Sequence, residues 1–243
     1  MNAPMGYDEF AALTTYEKVI PPGVLAEINA AIDSSFTPQP VRVQPREVAD
    51  ILRQVDAFAQ LESSACATTR AFARLMARGP LEDRPHHVLR CVSVANHPDG
   101  HCRHFDSHLL TLLIPLQLAA PDAFFNGDLV VYPRVRRRIS TIGNVLCKLR
   151  HGIQRNLPFA LRKRLTLRDL RRGRCTRVGV QPGNVYVFNG FALKHANLHV
   201  EAGQRRSLLI HYYDPGFSLG LSKVLRLMRK MRDRLHRNMT GMY

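Results

Sequence analysis

Residues 182–213 read PGNVYVFNGFALKHANLHVEAGQRRSLLIHYY, and this stretch decides the fold. Pro182-Gly183 is a turn signal. NVYVFNG and RRSLLIHYY, either side of a loop containing His195, carry the β-branched and aromatic residues that fit a pleated, half-buried surface. The same kind of run recurs upstream: HVLRCVSVAN (87–96), closed by Pro98-Asp99-Gly100; LLTLLIPLQL (109–118); DLVVYP (128–133), after the turn Asn126-Gly127; and TRVGV (176–180). Several short strands with turns between them predict a β sandwich or barrel.

Helical patterns flank this β body. Pro21-Pro22 precede GVLAEINAAIDSS (23–35), whose Val24, Leu25, Ile28 and Ile32 recur at helical spacing. Gln44-Pro45 opens REVADILRQVDAFAQL (46–61), and SSACATTRAFARLMARG (63–79) stops at Gly79-Pro80. Between DLVVYP and TRVGV lies an insert, residues 133–174, with two helical stretches, LCKLRHGIQRN and PFALRKRLTLRDLRR. Leu219–Asn238 repeats Leu221, Val224, Leu225, Met228, Met231 and Leu235 on one stripe of an amphipathic helix. The expected class is α+β. It divides into an N-terminal helical support (1–86), a β core (87–214) and a C-terminal basic helix (215–243).

The charge is unevenly placed. Net charge is +16 over 243 residues, yet Pro133–Val178 holds fifteen Lys/Arg and one acid, Asp169. Leu219–Tyr243 holds seven Lys/Arg and one acid, Asp233, so the remaining body is mildly acidic. Two readings stay open: solvated helical faces, or surfaces for an anionic partner. At 45% apolar and 22% charged, the composition excludes a disordered chain, and no apolar run approaches the ~20 residues of a membrane span. Five cysteines without a CxxC pair, and a start lacking the basic and apolar regions of a secretory signal, lead to the expectation of reduced thiols in a cytoplasmic protein.

His104-Phe105-Asp106 carries the chemistry. In a strand, residues two apart share a face, so H-x-D aims an imidazole and a carboxylate at one point. A second histidine would complete a facial triad with open positions, the ligand set of non-haem Fe(II) oxygenases. His101 and His108 are weaker alternatives, the first lacking a carboxylate two residues on and the second lacking a helical pattern. Arg205 and Ser207, in R-x-S, share one strand face and suit one carboxylate, while Arg206 points away with Leu208 and Ile210.

H-x-D, a distal His195 and the following R-x-S, set among LTLLIPL, NGDLVVYP and GNVYVFNG, resemble the Fe(II)/2-oxoglutarate-dependent oxygenase superfamily over about residues 87–214. The resemblance implies a double-stranded β-helix (jelly-roll) core. It implies that His104, Asp106 and His195 bind Fe(II) and that Arg205 with Ser207 binds the distal carboxylate of 2-oxoglutarate. O2 is then the second co-substrate, and hydroxylation, with succinate and CO2 as co-products, is the default outcome. The carboxylate at Asp106 argues against the halogenase branch, and the arginine-rich pattern of nucleic-acid demethylases is absent from SLLIHYYDPG. Thr111, Leu113 and Tyr186 are expected to line the pocket, and Arg136, Arg137 and Arg138 to steer an anionic group.

The expected substrate is therefore anionic: small, tethered, or linked to a lipid or sugar at a membrane surface. Leu219–Asn238 is expected either to lie on an anionic membrane on its inner face or to pack on the N-terminal helices. A non-catalytic cupin-like protein binding metal or nucleic acid is the alternative, with nucleic acid disfavoured.

Overall fold

The computed structural model describes residues 13–34, 43–76, 83–94, 100–120, 125–136 and 141–214. Strand runs separated by turn residues pair into two antiparallel sheets. In the first, the order is β1 (Thr14–Tyr16), β6 (Val185–Phe188), β3 (Leu110–Gln117), β8 (Gln204–Tyr212) and β2 (His86–Ser93). In the second it is β5 (Thr176–Val178), β4 (Leu129–Val135) and β7 (Leu193–Asn197). An isolated bridge between His104 and His195 extends the second sheet beyond β7. The chain passes from one sheet to the other in jelly-roll order.

Alternation along β8 separates two cores. Leu208 and Ile210 pack toward α1 (Pro22–Ser34), α2 (Pro45–Arg53) and α3 (Asp56–Met76), against Ile28, Leu52 and Phe58. Leu209 faces the other way and packs with Leu113, Tyr186, Leu129 and Leu193 between the sheets. Each fully buried Leu or Ile contributes roughly 1.5–3 kcal/mol, so a one-residue slip of β8 would forfeit both clusters. Behind the first sheet, the Tyr212 hydroxyl donates to Glu62 Oε1 at 2.8 Å and Arg53 Nε donates to Glu62 Oε2 at 2.8 Å, which joins β8, α2 and α3.

The insert forms α4 (Thr141–Asn156) and α5 (Phe159–Arg171). Leu167 and Leu170 of α5 cover Phe125, Val130, Tyr132 and Leu198 on the outer side of the second sheet. Arg103 fixes the insert to the segment carrying His104: Nη1 donates to Asp169 Oδ2 at 2.9 Å, and Nε and Nη2 donate to Gln154 Oε1 at 3.3 and 3.2 Å. Arg103 and Asp169 are both largely buried, with side chains 12% and 8% exposed. Removing one arm of such a pair leaves a desolvated charge, so Asp169→Ala is expected to cost about 3–5 kcal/mol of stability, read from urea unfolding.

The structure departs from the sequence expectations in four places. The helix break falls at Gln54-Val55 rather than near Glu62, because the Gln54 N–H donates to the Ile51 carbonyl and the Val55 N–H to the Leu52 carbonyl, which closes α2. The N-terminal region contributes the edge strand β1, too short to carry a period. His195 lies in β7 rather than in a loop. Phe105 and Asp106 lie outside regular strand, with only His104 bridged to the sheet. The segment Leu219–Asn238, together with Arg137 and Arg138, lies outside the described residues.

Candidate metal centre

His104, Asp106 and His195 converge, each offering one ligand atom within 4.8 Å of the others. Asp106 Oδ1 lies 3.5 Å from His104 Nε2 and 3.6 Å from His195 Nε2. The opposite edge of each imidazole is tied to the backbone. His104 Nδ1 is 2.9 Å from the Cys102 carbonyl, and His195 Nδ1 is 3.0 Å from the Leu193 carbonyl. A carbonyl only accepts, so each Nδ1 carries the proton and each Nε2 presents its lone pair inward. Such outer contacts hold a ligand ring in its metal-binding tautomer.

The carboxylate is positioned in the same way. Thr111 Oγ1 donates to Asp106 Oδ2 at 2.8 Å, which leaves Oδ1 for the converging nitrogens. With its proton committed there, Thr111 Oγ1 accepts from His211 Nδ1 at 3.0 Å. Burial opposes ionisation of Asp106, but the neighbouring His195, His104 and His211 together hold it well below the usual carboxylate range. Burial pushes His195 and His211 down to about 4, against the pull of Asp106, so both rings are neutral at neutral pH. Two neutral imidazoles and one carboxylate are the donors a non-haem Fe(II) ion takes, and the residues present fit it.

Gly190 sits where no side chain fits. Its carbonyl accepts from the Asp106 N–H at 2.8 Å, and an added Cβ would collide with the Asp106 carboxylate and lie 2.8 Å from Asp106 Cβ. Gly190→Ala is expected to weaken Fe(II) binding about 10- to 100-fold, the range for disturbing a ligand's support, as measured by metal titration.

On β8, Arg205, Ser207, Leu209 and His211 form one face, and Arg206 lies on the other, where Nη1 donates to the Asn29 carbonyl at 3.1 Å and Nη2 to Asp33. Arg205 is 2% exposed, and burial, with Arg90 nearby and only partly offset by Asp128, lowers its pKa to about 10. It remains charged at neutral pH. Its Nε and Nη2 and the Ser207 hydroxyl are buried without partners among the described residues. Asp128 is already held by Arg177, whose Nε and Nη2 each reach Oδ2 at 2.6 Å. A carboxylate would satisfy all three orphaned atoms, each of which costs roughly 1–3 kcal/mol unpaired. The Asn126-Gly127 turn makes room for this arginine: Gly127 has φ +87°, and a Cβ there would press into the Arg205 side chain.

The other expected site residues have different placements. Thr111 anchors Asp106 rather than lining an open pocket. Leu113 is packed in the inter-sheet core. Tyr186 is 1% exposed, and its hydroxyl is occupied by the β5–β6 turn, donating to the Gly179 carbonyl at 3.0 Å and accepting from the Gln181 N–H at 2.9 Å. Arg136 donates through Nε to the Phe191 carbonyl at 3.1 Å and stacks 3.3 Å above the Phe191 ring centroid, beside Phe105 at 5.3 Å. It therefore props the two aromatics next to the triad and does not reach freely outward. His101 is paired with His199 at 2.9 Å and so is no competitor of His104.

Arg90 went unnoticed in the sequence because nothing in HVLRCVSVAN marks it apart from its charge. It is paired in register with Ser207, on the same face as Val88, which packs against the inter-sheet core. It lies close enough to disfavour protonation of Arg205, His195 and His211 alike. It makes no hydrogen bond or ion pair among the described residues.

No family model matches the chain, and no curated protein matches it. Solved structures do. EvdO2 from Micromonospora carbonacea var. aurantiaca is 16% identical, with 84% of this chain and 87% of that chain covered and a TM-score of 0.48. A prolyl-4-hydroxylase from Pseudomonas putida is 12% identical, with 83% and 87% covered and a TM-score of 0.45. HygX from Streptomyces hygroscopicus, solved with nickel and 2-oxoglutarate bound, is 13% identical, with 86% and 84% covered and a TM-score of 0.41. The reading of the chemistry rests on the triad and on the orphaned atoms of Arg205.

Proposed function

We propose that the protein is an Fe(II)- and 2-oxoglutarate-dependent dioxygenase that hydroxylates an anionic substrate. The observation that carries this reading is the pairing of a pre-oriented His104/Asp106/His195 set with a buried Arg205–Ser207 cradle, three of whose polar atoms lack partners among the described residues, in one jelly-roll core. When bound, iron with 2-oxoglutarate would supply the electrons that activate O2 for attack on a C–H bond. The chain's own residues supply the orientation. Cys102 and Leu193 carbonyls fix the two imidazoles, and Thr111 fixes Asp106. Arg205 and Ser207 would hold the distal carboxylate of 2-oxoglutarate. Phe188 packs edge-on against His195 at 5.1 Å.

Arg90 supports the anionic class of substrate. Fe(II), Asp106, Arg205 and Arg90 together carry a net +3, and the 2-oxoglutarate dianion leaves one positive charge uncompensated. A substrate bearing a carboxylate or phosphate group would neutralise it. The test is succinate formation by the iron-loaded protein with matched anionic and neutral candidate substrates. The anionic members should stimulate turnover, and Arg90→Gln should erase the preference. Turnover stimulated equally by neutral members would refute the anionic assignment, and absence of any 2-oxoglutarate-dependent succinate would favour a non-catalytic metal-binding protein.

A further inference from the structure

Helix α4 has two faces of opposite character. Gln154 and His151 point to the protein body, where Gln154 accepts from Arg103 and His151 Nδ1 lies 3.8 Å from Cys102 Sγ, its ring 5.1 Å from that of His104. Leu146, Leu149 and Ile153, at i, i+3 and i+7, lie on the other face and are 55%, 60% and 63% exposed. Leu161 of α5 is 41% exposed as well. Four of the six strongly exposed large apolar side chains among the described residues therefore sit on the insert. Arg150 and Arg155 of α4 and Arg164 and Arg168 of α5 are exposed. The insert's one acid, Asp169, is buried against Arg103.

We propose that the insert docks the protein on an anionic lipid surface, with Leu146, Leu149 and Ile153 entering the headgroup boundary and the exposed arginines on the phosphates. An exposed apolar stripe on an insert whose exposed charges, among the described residues, are all cations suits a bilayer interface. Most protein interfaces would present acids as well as bases. Each basic residue near an anionic leaflet adds attraction that decays within a Debye length, while the stripe supplies the part that salt does not screen. No described helix is long and apolar enough to cross a membrane, so the association is peripheral. Because His151 of the same helix lies beside His104, docking would hold the metal centre close to the lipid surface.

Flotation of the full chain with phosphatidylcholine vesicles, with and without phosphatidylglycerol, tests this. Binding is expected only with phosphatidylglycerol, and L146Q/L149Q/I153Q should weaken it about a hundredfold. All three side chains are exposed, so the variant should keep its fold, checked by circular dichroism. Deletion of residues 219–243 separates the insert from the other basic segment and should leave vesicle binding in place. Binding that survives the triple substitution, binding lost with the deletion alone, or equal binding to neutral vesicles would overturn the proposal. Stripe-dependent binding to an acidic protein or to RNA without vesicle binding would overturn the lipid assignment. The vesicle assay uses no iron, so its failure leaves the metal-centre reading untouched.

Discussion

Alanine at His104, Asp106 or His195 is expected to abolish 2-oxoglutarate turnover while circular dichroism and the unfolding midpoint stay close to those of the parent. The three side chains meet at one point, and their outer edges are held by main-chain carbonyls and by Thr111. An open-site triad has no spare ligand to replace a lost arm. His211 lies near Asp106, but its Nδ1 faces Thr111, and its ring stacks with those of His108 and His86. Single-turnover assays with limiting Fe(II) would check each variant, and near-normal succinate from any of them would remove that residue from the metal set.

Arg205→Ala should weaken 2-oxoglutarate binding about ten- to a hundredfold, whereas Arg206→Ala should change it by no more than about twofold. The two arginines are neighbours in sequence and opposites in space. Arg205 sits in the interior with two nitrogens unpartnered among the described residues, whereas Arg206 crosses to α1 and contacts Asn29 and Asp33. Arg206→Ala should instead lower the urea midpoint, since it severs β8 from α1. Calorimetric titration of 2-oxoglutarate into the metal-loaded variants would decide, and a larger affinity loss for Arg206 would reverse the assignment.

The two-residue period of β8 was legible because Arg205, Ser207 and Leu209 alternate with Arg206, Leu208 and Ile210 in an unbroken strand. The pattern of strands and turns likewise foretold two sheets, and H-x-D with a distal histidine foretold the cluster at His104, Asp106 and His195. What stayed hidden depended on contacts distant in sequence. Tyr186 read as a pocket residue because parity turns it inward, yet its hydroxyl is taken by Gly179 and Gln181. Gly190 reads as an ordinary strand end until the Asp106 carboxylate is packed against it, 84 residues away in the chain. Arg90 acquires meaning only through its register with Ser207. The β7 placement of His195 was missed because LKHAN is short and polar, and its pairing with β4 supplies the order that local propensity lacks.

Anaerobic titration of the apoprotein with Fe(II) and then 2-oxoglutarate tests the central claim most directly. The expected result is a weak visible charge-transfer absorption that requires both additions, saturates at one equivalent of each, and is missing in His195→Ala. Its intensity should build at higher 2-oxoglutarate in Arg205→Ala than in the parent. Absence of the band in the parent, or its persistence in His195→Ala, would contradict the assignment of this site as an Fe(II)/2-oxoglutarate centre.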